Sequence, residues 1–527
     1  MASVAGQPER NTVPAAAVPD TDVAALPVKH RGLLMVAVMG ASIIQFLDST
    51  IANVAIPHMQ TSLGATSESV TWVLTSFIIA SAVATPITGW LSDRVGSRNL
   101  FLWAVFGFLV ASMLCGIAQN LTEMVLFRIF QGVCAAFIGP ISQTIMLDIN
   151  RPSQQAKAMA IWGMGVMIGP ISGPMIGGWL TESYSWRWVF YINIPIGIPT
   201  LLMLWWLLPS RPITRRRLDY VGYLLFAIGL ASLQLMLDRG QTEDWLESTE
   251  VIVELFIAVA ALWMFGVYLF TAKNPIFPRG LVTNTNFLTA LVYMLIMGMV
   301  MIAISALLPP MLQGIYGYSV LDTGLILAPR GVGVLISMFI ASRLVTVIGP
   351  RWLIAIGFAI CAYSLWMSTG WTIEMGWEPF VIVGLIQGLG TGLCFMPLNV
   401  IAFATLPPAY RTDGAGLLNL FRSIGASASI SLITTLLYRN MQQSHADIGT
   451  ALTPFNTPGV DLSSIDRLGP VGDGALTALN AMVTQQAAMI AYLDDFWLLT
   501  WLVALCVPLI FLAKEPKMIG KPPPISD

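Results

Sequence analysis

Apolar residues in this chain come in long unbroken runs, with neither the alternation of a half-buried strand nor the one-sided stripe of a soluble helix. Fourteen runs reach about 20 residues, the length a helix needs to cross a hydrocarbon core. They lie near 33–56, 71–91, 99–119, 123–146, 158–180, 188–208, 220–237, 251–271, 287–308, 322–343, 352–371, 379–402, 413–437 and 493–513. The pattern predicts an all-α polytopic membrane protein with 14 transmembrane helices. Residues 1–30 lack a sustained apolar core and are expected to form a disordered tail rather than a cleaved signal. Between the last two runs, 438–491 is polar and far longer than the 2–8 residues usual between bundle helices. Part of it, near Asp473 to Ala491, is compatible with helix and is expected to be ordered outside the membrane.

Two short echoes divide the chain further. RIFQGVCAAFIGP (Arg128 to Pro140) returns as LIQGLGTGLCFMP (Leu385 to Pro397), with Gln131 matching Gln387 at a separation of 256, while Gly96 returns as Gly349 at 253. Two similar six-helix bundles, 31–210 and 286–513, with two extra central helices in a linker at 211–285 and a tail at 514–527, account for both separations. Composition agrees: 56% of residues are hydrophobic and 10% charged, with a mean hydropathy of +0.75. A net charge of -2 with scattered basic residues leaves no footprint for nucleic acid. Of 26 Lys and Arg residues, 19 fall on the side that also holds both termini and only Arg187, Arg239, Arg439 and Arg467 on the other. The positive-inside rule then places both termini in the cytoplasm. Arg128, Arg330 and Arg422 remain inside spans.

One carboxylate, Asp48, also lies deep in a span. An Asp at the centre of a spanning helix costs about 2.5–3.5 kcal/mol on insertion scales, so it must be compensated or used. Helical spacing sets Gln45, Asp48, Ser49 and Ala52 on one stripe, expected to face water. Arg128 and Gln131, one turn apart on the fourth span, lie at a depth similar to Asp48. A fixed ion pair and a proton-exchanging site both fit. Gln45, Gln131, Gln387, Arg330 and Arg422 are candidate polar residues of a cavity between the bundles.

Two glycine patterns stand out. GWLSDRVGSR, with Gly89, Asp93, Arg94, Gly96 and Arg98, joins the second and third spans. Its two glycines permit a tight turn and its charges can bond neighbouring helix ends, although a plain positive-inside hairpin is the simpler account. On the fifth span Gly165, Gly169, Gly173 and Gly177 recur every four residues, interleaved with Pro170, Pro174 and Gly178. Small residues at this spacing admit a close neighbour, and the prolines suggest a helix that flexes. The cysteines and histidines show no metal or redox spacing, and no phosphate-binding loop follows a strand. Neither a metal nor a cofactor is expected.

Together LDSTIANVAIP, GWLSDRVGSR, RIFQG, GPISGPMIGG, WRWVFYINIPIG and LQLMLDRG resemble motifs of the major facilitator superfamily, specifically its fourteen-helix drug/proton antiporters of the EmrB/QacA type. The resemblance covers about 33–513. It implies the superfamily fold and a proton-gradient-driven efflux pump in a bacterial inner membrane that exports hydrophobic or amphipathic drugs by alternating access. It implies that Asp48 and Arg128 serve proton coupling, Gly89 to Arg98 form a conformational latch, and Gly165 to Gly178 form the antiporter helix. Its expected partners are drugs, protons, membrane lipids, a periplasmic adaptor of the EmrA type and an outer-membrane channel of the TolC type. The second bundle departs from the latch pattern, with Thr346 and Val347 where Asp93 and Arg94 would repeat. A nutrient symporter of the same fold is the principal alternative. The embedded arginines favour weak acids or neutral compounds over dications, and the polar stretch 438–491 is open to two readings, a tolerant excursion or the adaptor's docking surface.

Overall fold

A computed structural model describes residues 22–210, 213, 217–240, 243, 245–345, 347–404, 406–451 and 470–512. Fourteen of its helices are long and apolar enough to cross a membrane, and no strand forms among the described residues. The first half contains α1 (Arg31–Ser62), α2 (Trp72–Val95), α3 (Ser97–Ile117), α4 (Leu121–Asp148), α5 (Pro152–Ser183) and α6 (Trp188–Leu207). Next come α7 (Tyr220–Arg239) and α8 (Thr249–Thr271). The second half contains α9 (Thr285–Gly314), α10 (Val320–Leu344), α11 (Pro350–Ser368), α12 (Glu378–Ala404), α13 (Arg411–Ala451) and α14 (Pro470–Leu509). This is the expected arrangement of two six-helix bundles and two extra helices.

Glycines show that the halves pack alike. A Cβ on Gly132 of α4 would come 2.5 Å from the carbonyl of Phe77 in α2, and one on Gly388 of α12 would overlap the carbonyl of Arg330 in α10. Gly388 follows Gly132 by 256 residues and Arg330 follows Phe77 by 253, the same separations as the sequence echoes. The turn glycines correspond too, Gly96 at φ +93° and Gly349 at φ +90°.

The extra helices are central in sequence but lateral in space. Thr75 of α2 donates to Asp238 of α7, and the Tyr223 hydroxyl donates to the Val83 carbonyl at 3.2 Å. Gln234 donates to Ser427 of α13 at 2.6 Å, and Trp245 to Thr435 at 2.9 Å. The pair thus leans on one helix from each half.

Two expectations change. The stripe on α1 faces protein rather than water: Asp48 and Ala52 are fully buried, and only Gln45 and Ser49 are partly open. Its polar side is met by polar side chains of neighbouring helices. In the stretch 438–491 the described residues, 438–451 and 470–491, continue α13 and α14 as helix, so the ordered part extends beyond the expected run to both arms. The apolar pattern stops at the membrane boundary, but nothing in 438–451 or 471–492 breaks a helix, and His445 bonds Asn480 across the pair at 3.1 Å. At 1.5 Å per residue the two arms project roughly 20 and 35 Å past the apolar runs. The helix-compatible run Asp473 to Ala491 lies within α14; residues 452–469 lie outside the described residues.

Candidate functional site

Five helices of the first half contribute to one buried network around Asp48 of α1. Arg128 Nη1 of α4 donates to Asp48 Oδ2 at 2.7 Å, Gln131 Nε2 donates to Oδ1 at 2.9 Å, and Asn193 Nδ2 of α6 donates to Oδ1 at 2.9 Å. Arg128 also donates to Gln131 Oε1 at 2.7 Å and to the Val73 carbonyl at 3.0 Å. Asn193 reaches on to Ser112 Oγ of α3 at 2.9 Å. Asp48, Arg128, Gln131, Asn193 and Ser112 are all fully buried. The guanidinium lies over the rings of Phe77 and Phe190, at 4.2 and 5.7 Å. A buried ion pair offsets its desolvation only when the remaining donors and lone pairs are also satisfied, and this network largely does so. Water reaches the carboxylate only if helices move.

Asn193 was not among the sequence candidates, although an amide within the apolar run from Trp188 carries the same signal as Gln131. Gln131 belongs to this cluster, not to a cavity, because its amide is drawn to Asp48 and Arg128. Gln387, its counterpart in the second half, is also buried. Gln45 is half-buried opposite Gly139, where a Cβ would lie 3.4 Å from its Oε1 and 3.8 Å from Asn419 Cγ of α13. Arg422 of α13 crosses the interface to the ring of Phe46, 4.8 Å away, and donates to Asn419 Oδ1 at 3.3 Å. Arg330 stays within its own half, donating to Ser305 Oγ at 3.0 Å and the Met301 carbonyl at 3.1 Å. Gln45, Asn419 and Arg422 therefore come together between the halves, and Arg330 stands apart.

The GWLSDRVGSR stretch contains one turn glycine, Gly96. Gly89 lies inside helix, where a Cβ would overlap the Asp413 carboxylate at the start of α13. Its smallness serves close approach of the halves rather than the expected turn. Arg98 donates to the Trp205 carbonyl at 2.6 Å, placing a cation at the end of α6 where the helix dipole favours it. Arg94 lies 5.1 Å from the Trp90 ring centroid, and Asp93 is half-buried. In the second half Thr346 lies outside the described residues, and Val347 is exposed.

On α5, Gly165, Gly169, Gly173 and Gly177 all face α1. A Cβ on them would meet Met39, the backbone at Phe46 and Leu47, Thr50, and Ile51 respectively. Gly178 is buried, while Pro170 and Pro174 sit within an uninterrupted helix. Direct polar contacts between the halves gather at the end that carries Gly89. Gln143 of α4 donates to Asn399 of α12 and accepts from Asn419 at 3.2 Å, and Arg411 pairs with Asp148 at 3.0 Å. Trp162 stacks on Phe395 beside them. Gln143 and Asn399 are 256 residues apart, the separation of repeat-equivalent positions, so the axis relating the halves passes close to this contact. The halves are shut at this end. Among the described residues no cluster of His, Cys, Asp and Glu is suited to a metal.

The profile of the Major Facilitator Superfamily matches residues 38–430. The chain is 36% identical over 502 residues to the multidrug export protein EmrB of Escherichia coli K12, covering 92% of this chain and 95% of that protein. It is 33% identical to the fatty acid resistance protein FarB of Neisseria gonorrhoeae, covering 93% and 98%. Among solved structures, the human organic anion transporter MFSD10 superposes with a TM-score of 0.55 at 13% identity, covering 90% of this chain and 99% of that one. That likeness bears on the fold alone.

Proposed function

The chain belongs to the major facilitator superfamily, among its EmrB-type multidrug exporters, and we propose that it is a proton-coupled antiporter that exports hydrophobic or amphipathic compounds. The observation that carries this reading is the sealed Asp48 cluster. A carboxylate held by Arg128, Gln131 and Asn193 loses its charge on taking up a proton, and the attraction that fixes Arg128 weakens with it. Protonation can then bias the packing of α1 against α4 and α6. Since α1 also packs along the glycines of α5, a shift there reaches the interface with the second half. The only energy source the reading needs is the proton gradient, with no cofactor.

The end bearing Gly89 would be cytoplasmic, as would both termini, in a bacterial inner membrane. With that end shut, the described state would face outward, and Gly89 to Arg98 would be the latch that holds it. Arg422 and Arg330 pair with no carboxylate among the described residues, which favours weakly acidic or neutral substrates over dications. The α13–α14 hairpin would then stand in the periplasm, where an adaptor of the EmrA type and a channel of the TolC type could complete an export path. Purified protein in liposomes with an imposed pH gradient, tested against acidic, neutral and cationic dyes, should move acidic or neutral dyes uphill. Asp48→Asn should abolish that movement. Dye flux independent of the gradient would identify a channel instead.

A further inference from the structure

A cavity of about 480 Å³ opens at the Gly89 end of the bundle, between the start of α7 and the end of α8. Trp90, Arg217, Asp219, Lys273, Ile276 and Arg279 line it. Its walls are fixed. Ile276 and Phe277 are buried, and Phe277 packs edge-on against Phe226 and Phe265 at 5.5 and 6.2 Å. The acid in the wall is already engaged: Asp219 accepts from Gly222 N at 3.0 Å, the Tyr268 hydroxyl at 2.9 Å and Ile276 N at 3.1 Å. Arg279 spends one donor on the Ala272 carbonyl at 2.7 Å. Arg217 and Lys273 make no hydrogen bond or ion pair among the described residues. Three exposed cations therefore surround a cavity with a single carboxylate in its wall, Asp219, which is bonded to neutral donors and makes no ion pair with them among the described residues.

Position narrows the ligand. Tyr220 opens one spanning helix and Thr271 closes the next, so the cavity lies where apolar spans give way to headgroups. Val221 and Leu224 on α7 and Val267 and Phe270 on α8 are each more than half exposed, apolar positions within two turns of the helix ends that flank the cavity. Basic pockets between spanning helices suit the phosphate of an anionic lipid, and flanking apolar ridges suit its acyl chains. We propose that this cavity binds the headgroup phosphate of an anionic phospholipid. Trp90 is both its wall and the ring beneath Arg94, so an occupied site braces the GWLSDRVGSR stretch against the extra helices.

The test is a titration of purified full-length protein with phosphatidylglycerol or phosphatidylcholine, read by native mass spectrometry as retained lipid. Phosphatidylglycerol should bind in preference to phosphatidylcholine, about fivefold more weakly to Lys273→Gln, and on the order of a hundredfold more weakly to the triple variant Arg217→Gln/Lys273→Gln/Arg279→Gln. Arg151→Gln/Lys157→Gln, at the start of α5 and the same end of the bundle, should leave the affinity unchanged. If Arg279→Gln compromises folding through the lost Ala272 contact, Lys273→Gln decides, because Lys273 holds no other element. Equal affinity of wild type and Lys273→Gln, or equal loss in the α5 control, would overturn the site. Displacement of the lipid by an equal concentration of inorganic phosphate would show a free-phosphate site and overturn the lipid assignment.

Discussion

At the scale of single residues the question is whether Asp48 and Arg128 are a structural pair or a proton site, and the geometry supplies a way to separate the two. Asp48→Asn leaves Arg128 buried beneath Phe77 and Phe190 without its counter-ion. Removing one partner of a buried pair costs about 3–5 kcal/mol, so the single variant should unfold at a clearly lower temperature in detergent. Asp48→Asn/Arg128→Gln removes both charges, keeps side chains that can bond each other and Asn193, and should regain much of that stability. If the pair exchanges protons, the double variant stays unable to drive uphill transport although it is folded. Wild-type uphill rates in the double variant would reduce the pair to scaffolding. Asp48, Arg128 and Gln131 were legible because charge and amide groups inside an apolar run are costly wherever the helices go. Asn399, Asn419 and Asp148 were not, because they lie nearer span ends, where polarity is cheap, and their partners are 256 to 276 residues away.

At the scale of helices, the periodic glycines of α5 are not equivalent. A Cβ at Gly169 would stand 2.6 Å from Leu47 N and 2.9 Å from the Phe46 carbonyl carbon, so backbone must retreat. At Gly165 the nearest atom is the Met39 terminal methyl, 2.6 Å away, at the end of a side chain that can swing aside. Gly169→Ala should cost about 1–3 kcal/mol and depress transport, whereas Gly165→Ala should be close to neutral in thermal unfolding and dye export. Equal tolerance at both positions would mean that the α1–α5 approach is looser than these separations imply. The four-residue period was readable in sequence as a close-packing face. Which helix it met, and that Gly89 faces Asp413 rather than forming a turn, depended on the arrangement of the halves, which local spacing does not encode.

For the whole molecule, the fourteen spans were legible because membrane insertion writes them into hydropathy, and the twofold repeat because two short motifs recur 256 and 253 residues on, but the hairpin beyond the membrane leaves no apolar trace. Its outer part is tied to the transporter through its own two arms, as in the His445–Asn480 bond. Its base is different: Gln485 donates to the Ile315 carbonyl at 2.9 Å, the Tyr316 hydroxyl meets Met489 Sδ at 3.9 Å, and Phe496 packs on Trp371. Removing all of 438–491 would strip the Gln485 and Met489 contacts from the end of α9 and confound a docking defect with a folding defect. Replacing only 441–480 with a short Gly/Ser link spares them. On the proposed role as an adaptor surface, that variant should match wild type in liposome transport and thermal unfolding, yet lose drug resistance in whole cells and adaptor co-purification. Full resistance and adaptor capture by the shortened protein would move docking to the lipid-facing helices. Loss of liposome transport would instead make the hairpin part of the alternating-access machinery, since its arms continue α13 and α14 without a break and can transmit a movement of either helix.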